Sequence, residues 1–84
     1  MMGRSRMAVP TRREFQLGRF VVRLTAAKVE LPKVDGWVGT WAIYQAPLDL
    51  GSMPLRYGDT DLQKTEDLAI GMARTVASLV ARSL

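Results

Sequence analysis

Carboxylates are the side chains in this sequence best suited to acid–base or metal chemistry, because the chain contains no histidine and no cysteine. A Ser–His–Asp arrangement cannot be built, and thiolate and imidazole metal ligands are missing. The carboxylates of the second half are Asp49, Asp59, Asp61, Glu66 and Asp67. Asp59-Thr60-Asp61 is too short for a calcium loop, which needs a longer run and a terminal bidentate glutamate. We therefore predict no catalytic, cofactor-binding or metal-binding residue, and no enzyme activity.

Arginine is the second residue type that could carry function, through contacts with nucleic-acid phosphates. The candidates are Arg4, Arg6, Arg12, Arg13, Arg19, Arg23 and Arg56. Residues 1–33 hold eight Lys/Arg against two acids, a net charge of +6, whereas residues 34–84 hold four against six, a net charge of −2. The basic N-terminal arm, residues 1–13, contains no aromatic residue that could stack on a base; the first is Phe15. Because the arm is positively charged, nucleic-acid binding through it is the alternative hypothesis for function.

The tryptophans Trp37 and Trp41 are four residues apart. In a strand this spacing places both on one face, about 13 Å from each other. They could grip the ring of a ligand, but filling a thin core is the stronger expectation for large aromatic side chains.

The length of 84 residues bounds the chain to one domain, and 48% hydrophobic residues is typical of a globular one. We predict a flexible basic tail over residues 1–13 and a single domain over residues 14–84. The longest uncharged stretch, residues 37–48, is too short to span a bilayer, and no secretory signal is visible. We expect a cytoplasmic protein with no membrane partner.

Apolar residues alternate with polar ones from Glu14 to Ala26, which predicts either one bent strand or a hairpin that turns at Gly18-Arg19. Pro32 indicates an edge or a loop, and Asp35-Gly36 predicts a turn. Residues 36–46 form the clearest strand, and residues 54–57 a short last one.

A C-terminal helix of about twenty residues is predicted from Leu68, Met72, Val76 and Leu79, which repeat at helical spacing. Together with Ala69, Ala73 and Val80 beside them, they form the stripe expected to be buried. Thr60 fits a capping box, although Asp61 or Thr65 could equally be the N-cap. The predicted fold class is α+β, an antiparallel sheet of three to four strands packed on one face by this single long helix.

One helix can cover one face of a sheet, while the strand over residues 36–46 is apolar on both faces. Trp37, Trp41 and Ile43 are expected to face the helix. The residues left on the other face are Val21, Val38, Ala42 and Tyr44. We predict a non-catalytic binding or assembly domain that forms a homodimer through these four residues; alternatively, strand curling or the loop at residues 47–55 covers them.

The stretch Gly36-Trp37-Val38-Gly39-Thr40-Trp41-Ala42-Ile43 and the segment from Thr65 to Ala73, together under half the chain, resemble small three-stranded-sheet-plus-helix domains. The outline is similar to uncharacterised bacterial proteins of under a hundred residues. It also resembles the plant-type AP2 DNA-binding domain, the arm-binding domain of phage integrases and the double-stranded-RNA-binding domain. The AP2 resemblance implies a sheet that enters the major groove, where this chain would offer Arg23, Arg19 and Arg56.

Overall fold

Four antiparallel strands and one helix make up the part of the chain that the computed structural model describes, residues 11–49 and 51–84. The elements are β1 (Thr11–Leu17), β2 (Phe20–Leu31), β3 (Val34–Gln45), β4 (Arg56–Asp59) and α1 (Glu66–Arg82). Each strand pairs with the next one along the chain, in the order β1-β2-β3-β4, and α1 packs on β2 and β3. The predicted α+β architecture is confirmed.

The first hairpin resolves the alternatives for residues 14–26. Leu17 pairs with Phe20 across a two-residue loop of Gly18 and Arg19. Gly18 has φ +63°, a left-handed conformation that glycine adopts without steric cost, and glycine at the first loop position is typical of a type II′ turn. Residues 14–26 are therefore two strands.

The second hairpin turns at Pro32-Lys33, and Leu31 pairs with Val34 beside it. Asp35 and Gly36, which we predicted as a turn, instead lie within β3. The twelve consecutive residue pairs between β2 and β3 outweigh the local preference of Asp-Gly for a turn. Gly36 is buried, and a Cβ atom there would lie 2.6 Å from the carbonyl oxygen of Gln63, so glycine is needed for a close backbone approach.

The prediction that the tail extends to residue 13 is wrong for its last three residues. Thr11, Arg12 and Arg13 are the first residues of β1, where they pair with residues 24–26 of β2. An edge strand accepts charged residues because one side of its backbone faces solvent. Residues 1–10 lie outside the described part of the chain.

The side of α1 that faces the sheet is centred on alanines, and three of the four large residues predicted to be buried are exposed. The buried helix residues are Ala69, Ala73, Ala77 and Ala81. Ala73, Ala77 and Ala81 form one core cluster with Val22, Leu24, Trp41 and Ile43 of the sheet, and Ala26 is buried as well. Leu68, Met72 and Leu79 remain 52%, 44% and 59% exposed, whereas Val76 is partly buried against the core. The helix backbone comes closest to the sheet where Ala69 lies over Gly39.

Thr65 is the N-cap of α1, so one of the three candidate caps is confirmed. Its side-chain oxygen accepts a hydrogen bond from the backbone N–H of Leu68 at 3.1 Å. Thr60 instead accepts a hydrogen bond from the N–H of Gly39 at 2.9 Å. Gln63 exchanges two backbone hydrogen bonds with Trp37, each of 2.7 Å, which fixes the segment that leads from β4 into the helix.

Candidate interaction surfaces

The sheet face opposite α1, here called the free sheet face, is built from rows of residues that pair across the strands. Paired residues of neighbouring strands point to the same side and form rows across the strands. Two rows cross all four strands, Arg12–Thr25–Thr40–Asp59 and Glu14–Arg23–Ala42–Tyr57. A third row, Gln16–Val21–Tyr44, crosses β1 to β3, and a fourth, Ala27–Val38, joins β2 and β3. The hydroxyls of Thr25 and Thr40 are hydrogen-bonded to each other in the middle of the first row.

The four residues predicted to form an interface all lie on the free sheet face. Val21, Val38, Ala42 and Tyr44 alternate along β2 and β3 with the residues that face the helix. Each is partly exposed. Their use as an interface stays a prediction.

Charged and aromatic side chains lie among these apolar residues. The Nε atom of Arg23 is 3.5 Å from an Oε atom of Glu14, and both side chains are about half exposed. The guanidinium carbon of Arg23 also lies 5.1 Å from the centroid of the Tyr44 ring, within the range of a cation–π contact. Tyr57 of β4 pairs with Ala42 of β3, and the Tyr57 side chain is 72% exposed. The face therefore presents two tyrosines beside an arginine.

A depression of about 780 Å³ lies over this surface. Its lining includes Arg12, Arg23, Tyr44, Tyr57 and Asp59. The loop after β3 contributes Pro54 to the lining, while Met53 beside it is 78% exposed. The loop thus borders the depression and leaves the four candidate residues partly exposed.

The arginines predicted to contact nucleic acid are only partly gathered on this face. Arg12 and Arg23 lie on the free sheet face and line the depression, whereas Arg13 also borders it but pairs with Leu24, which faces the helix. Arg19 lies in the turn between β1 and β2, and Arg56 pairs with Ile43, which faces the helix. Arg4 and Arg6 lie outside the described residues.

A second surface, on the solvent side of α1, was missed by the sequence analysis. The residues Leu68, Met72, Thr75 and Leu79 recur at spacings of four, three and four, which places them on one side of the helix. We call them the outer stripe. The signal that could have revealed it is an alanine at every fourth position from 69 to 81, which offers the sheet an apolar face of its own.

Residues 11–49 and 51–84 lack two features that would point to other functions. These residues contain no group of three or more His, Cys, Asp or Glu side chains placed to hold a metal ion. They also contain no helix that is long and apolar enough to cross a membrane. Models of known protein families do not match this chain, and neither curated proteins nor solved structures give a match. The proposals for function therefore depend on the two surfaces.

Proposed function

We propose that this protein is a small non-catalytic assembly domain that forms a homodimer through the free sheet face. The observation that carries the proposal is the partial exposure of Val21, Val38, Ala42 and Tyr44 on the side of the sheet that α1 leaves uncovered. A second copy would remove this apolar surface from water, which stabilises association by about 25 cal/mol per Å² buried.

The charges on the free sheet face suit a two-fold arrangement. Arg12 and Asp59 lie at opposite ends of the same row, on the two edge strands. When two sheets stack about a two-fold axis parallel to the strands, β1 of one copy lies over β4 of the other. Arg12 then faces Asp59 of the second copy, and Thr25 faces its Thr40. The surface is therefore electrostatically complementary to itself.

The test is the mass in solution, measured by light scattering over a range of concentrations. We expect a dimer for the parent and a monomer for Tyr44→Glu, because the new carboxylate would be buried without a partner. Met53→Glu, at an exposed loop position, is the matched control and should stay dimeric. A parent that is monomeric at every accessible concentration contradicts the proposal.

Charge exchange tests the two-fold arrangement itself. Arg12→Glu and Asp59→Arg should each weaken the dimer, since each places like charges opposite each other. The double variant restores opposite charges and should recover most of the lost affinity. If the two single effects simply add in the double variant, these residues do not face each other in the dimer.

The second candidate function is binding of single-stranded nucleic acid on the same face. Tyr57, 72% exposed, and Tyr44 lie on neighbouring strands of an antiparallel sheet, with Arg12 and Arg23 lining the same depression. Exposed aromatic rings on a sheet are typical stacking platforms for unpaired bases, and the arginines could contact phosphates. This arrangement supplies the aromatic platform that the basic arm lacks.

Fluorescence anisotropy with single-stranded and duplex oligonucleotides at low salt tests this second candidate. We expect tighter binding of the single strand, and weaker binding after Tyr57→Ala or Arg12→Gln. Arg56→Gln removes the same charge on the helix side of the sheet and should have the smaller effect. Absence of binding at low salt excludes this function.

A further inference from the structure

We propose that the outer stripe of α1 is a second self-association site, which packs antiparallel against the outer stripe of another copy of this chain. This site lies on the opposite side of the domain from the free sheet face. It would operate whether or not the sheet face forms a dimer.

Three of the large apolar residues of α1 point away from its own domain. Leu68, Met72 and Leu79 are 52%, 44% and 59% exposed, while the alanines on the other side of the helix are buried. A surface helix of a single domain ordinarily presents polar residues to solvent. A row of exposed Leu and Met side chains marks a surface that another apolar surface covers.

The spacing of the stripe favours a second, antiparallel copy as that surface. Positions 68, 72, 75 and 79 are symmetric about the midpoint between Ala73 and Arg74. A two-fold axis at this midpoint places Leu68 opposite Leu79 of the second copy, and Met72 opposite its Thr75. Both ends of the helix pair then bury the same residues, as an isologous interface requires.

The charges at the two ends of α1 favour the same orientation. Glu66 and Asp67 lie in the first turn, and Arg82 lies in the last. In an antiparallel pair Asp67 comes near Arg82 of the second copy. The positive end of each helix dipole then lies beside the negative end of the other, which is favourable. A parallel pair would place like charges side by side. An anionic membrane surface would repel the acidic end of the helix.

Gly71, beside the stripe, leaves room for a close approach. A Cβ atom built there has nothing within 4 Å, so no packing within the described chain requires a glycine. The stripe spans about 16 Å from Leu68 to Leu79, at 1.5 Å per residue. Interfaces that bury less than about 1,200 Å² are typically weak, so we expect a concentration-dependent association.

Disulfide cross-linking tests the proposed register, because the natural chain has no cysteine to interfere. Leu68→Cys and Leu79→Cys proteins are mixed under mild oxidation. We expect the mixed disulfide to form preferentially, because each substituted position faces the other across the two-fold axis. Leu31→Cys, exposed at the β2–β3 turn, is the control for random collision. Mixed cross-linking no greater than that of this control overturns the proposal, as does preferential Leu68→Cys self-linking, the product of a parallel pair.

Sedimentation of a second set of variants separates this site from the free sheet face. Met72→Glu should lower the association constant of the helix site about tenfold or more, since it places a carboxylate within the apolar stripe. Tyr44→Glu, on the other face, should leave the Leu68–Leu79 cross-link unchanged. Co-sedimentation of the parent with anionic phospholipid vesicles, lost in Met72→Glu and without any cross-link, would assign the stripe to lipid and overturn the proposal.

Discussion

Gly39 of β3 lies directly against the backbone of α1 at Ala69. A Cβ atom at position 39 would come within 2.4 Å of the carbonyl oxygen of Ala69 and 3.3 Å of the Cβ atom of Ala73. Real Cβ atoms do not approach a backbone oxygen so closely, so the contact requires glycine. The short distance between helix and sheet also explains the buried alanines, because a larger side chain at these positions would push the two layers apart.

Gly39→Ala and Gly71→Ala should therefore have opposite effects on stability. Gly39→Ala should lower the free energy of unfolding by about 1–3 kcal/mol or more, as overpacking of a core does. Gly71→Ala adds a methyl group that meets nothing within its own domain. At protein concentrations too low for association through the helix, it should raise the free energy of unfolding by up to about 1 kcal/mol, because alanine is the better helix former.

Urea unfolding followed by far-UV circular dichroism measures both effects. Two variants with the same chemical change serve as each other's control. Equal stability of the Gly39→Ala variant and the parent would mean that α1 does not contact β3 as described.

The order of strands and helix could be predicted from the sequence because alternation and helical periodicity are local patterns. The buried side of α1 could not. Hydropathy ranks Leu68 above Ala69 as a core residue, and the reason for the reverse order lies at Gly39, thirty residues away. Periodicity within the helix carries no information about how closely the sheet approaches.

The candidate site was predictable to a similar extent. Alternation within β3 suffices to place Val38, Ala42 and Tyr44 on one face. The position of Tyr57 on that face follows from the register between β3 and β4, which the sequence does not give. The predicted strand over residues 54–57 begins two residues before the observed one. The register of two strands joined by a long loop depends on contacts between residues far apart in the sequence, and local patterns do not predict these contacts.

The N-cap offers a second matched pair of substitutions. Thr65→Ala removes the oxygen that accepts the N–H of Leu68, and should lower the free energy of unfolding by about 1 kcal/mol. Thr75→Ala, in the exposed middle of the same helix, should be neutral or slightly stabilising, because alanine has the higher helix propensity. Thermal unfolding gives both values. Equal melting temperatures for the two variants would contradict the assignment of Thr65 as the cap.

Trp41 covers Gly58 of the neighbouring strand. A Cβ atom at position 58 would lie 2.8 Å from the indole ring, so Gly58→Ala must displace Trp41 from the core. We expect a loss of about 1–3 kcal/mol in stability and a red shift of tryptophan emission. Gly51→Ala is the control, since its Cβ atom would make an ordinary contact of 3.8 Å. Unchanged emission in Gly58→Ala would contradict the described packing of Trp41.

Glu14→Gln distinguishes the two functions proposed for the free sheet face. The Glu14–Arg23 pair is about half exposed, so its loss should cost less than about 1 kcal/mol of stability. Without the carboxylate, Arg23 is free to contact a phosphate. If the face binds single-stranded nucleic acid, affinity should rise, and the plot of log affinity against log salt concentration should steepen by about 0.7 for one added contact.

Glu30→Gln is the matched control, because it removes the same charge from an exposed position near the far end of β2. In the proposed two-fold arrangement Glu14 lies on the edge strand β1, opposite Tyr57 of the second copy. Glutamine has the same shape as glutamate, so the Glu14→Gln dimer should persist. A gain in oligonucleotide affinity that Glu14→Gln shows and Glu30→Gln lacks assigns the face to nucleic acid. Equal oligonucleotide affinities for the two variants, together with a stable dimer, assign it to self-association.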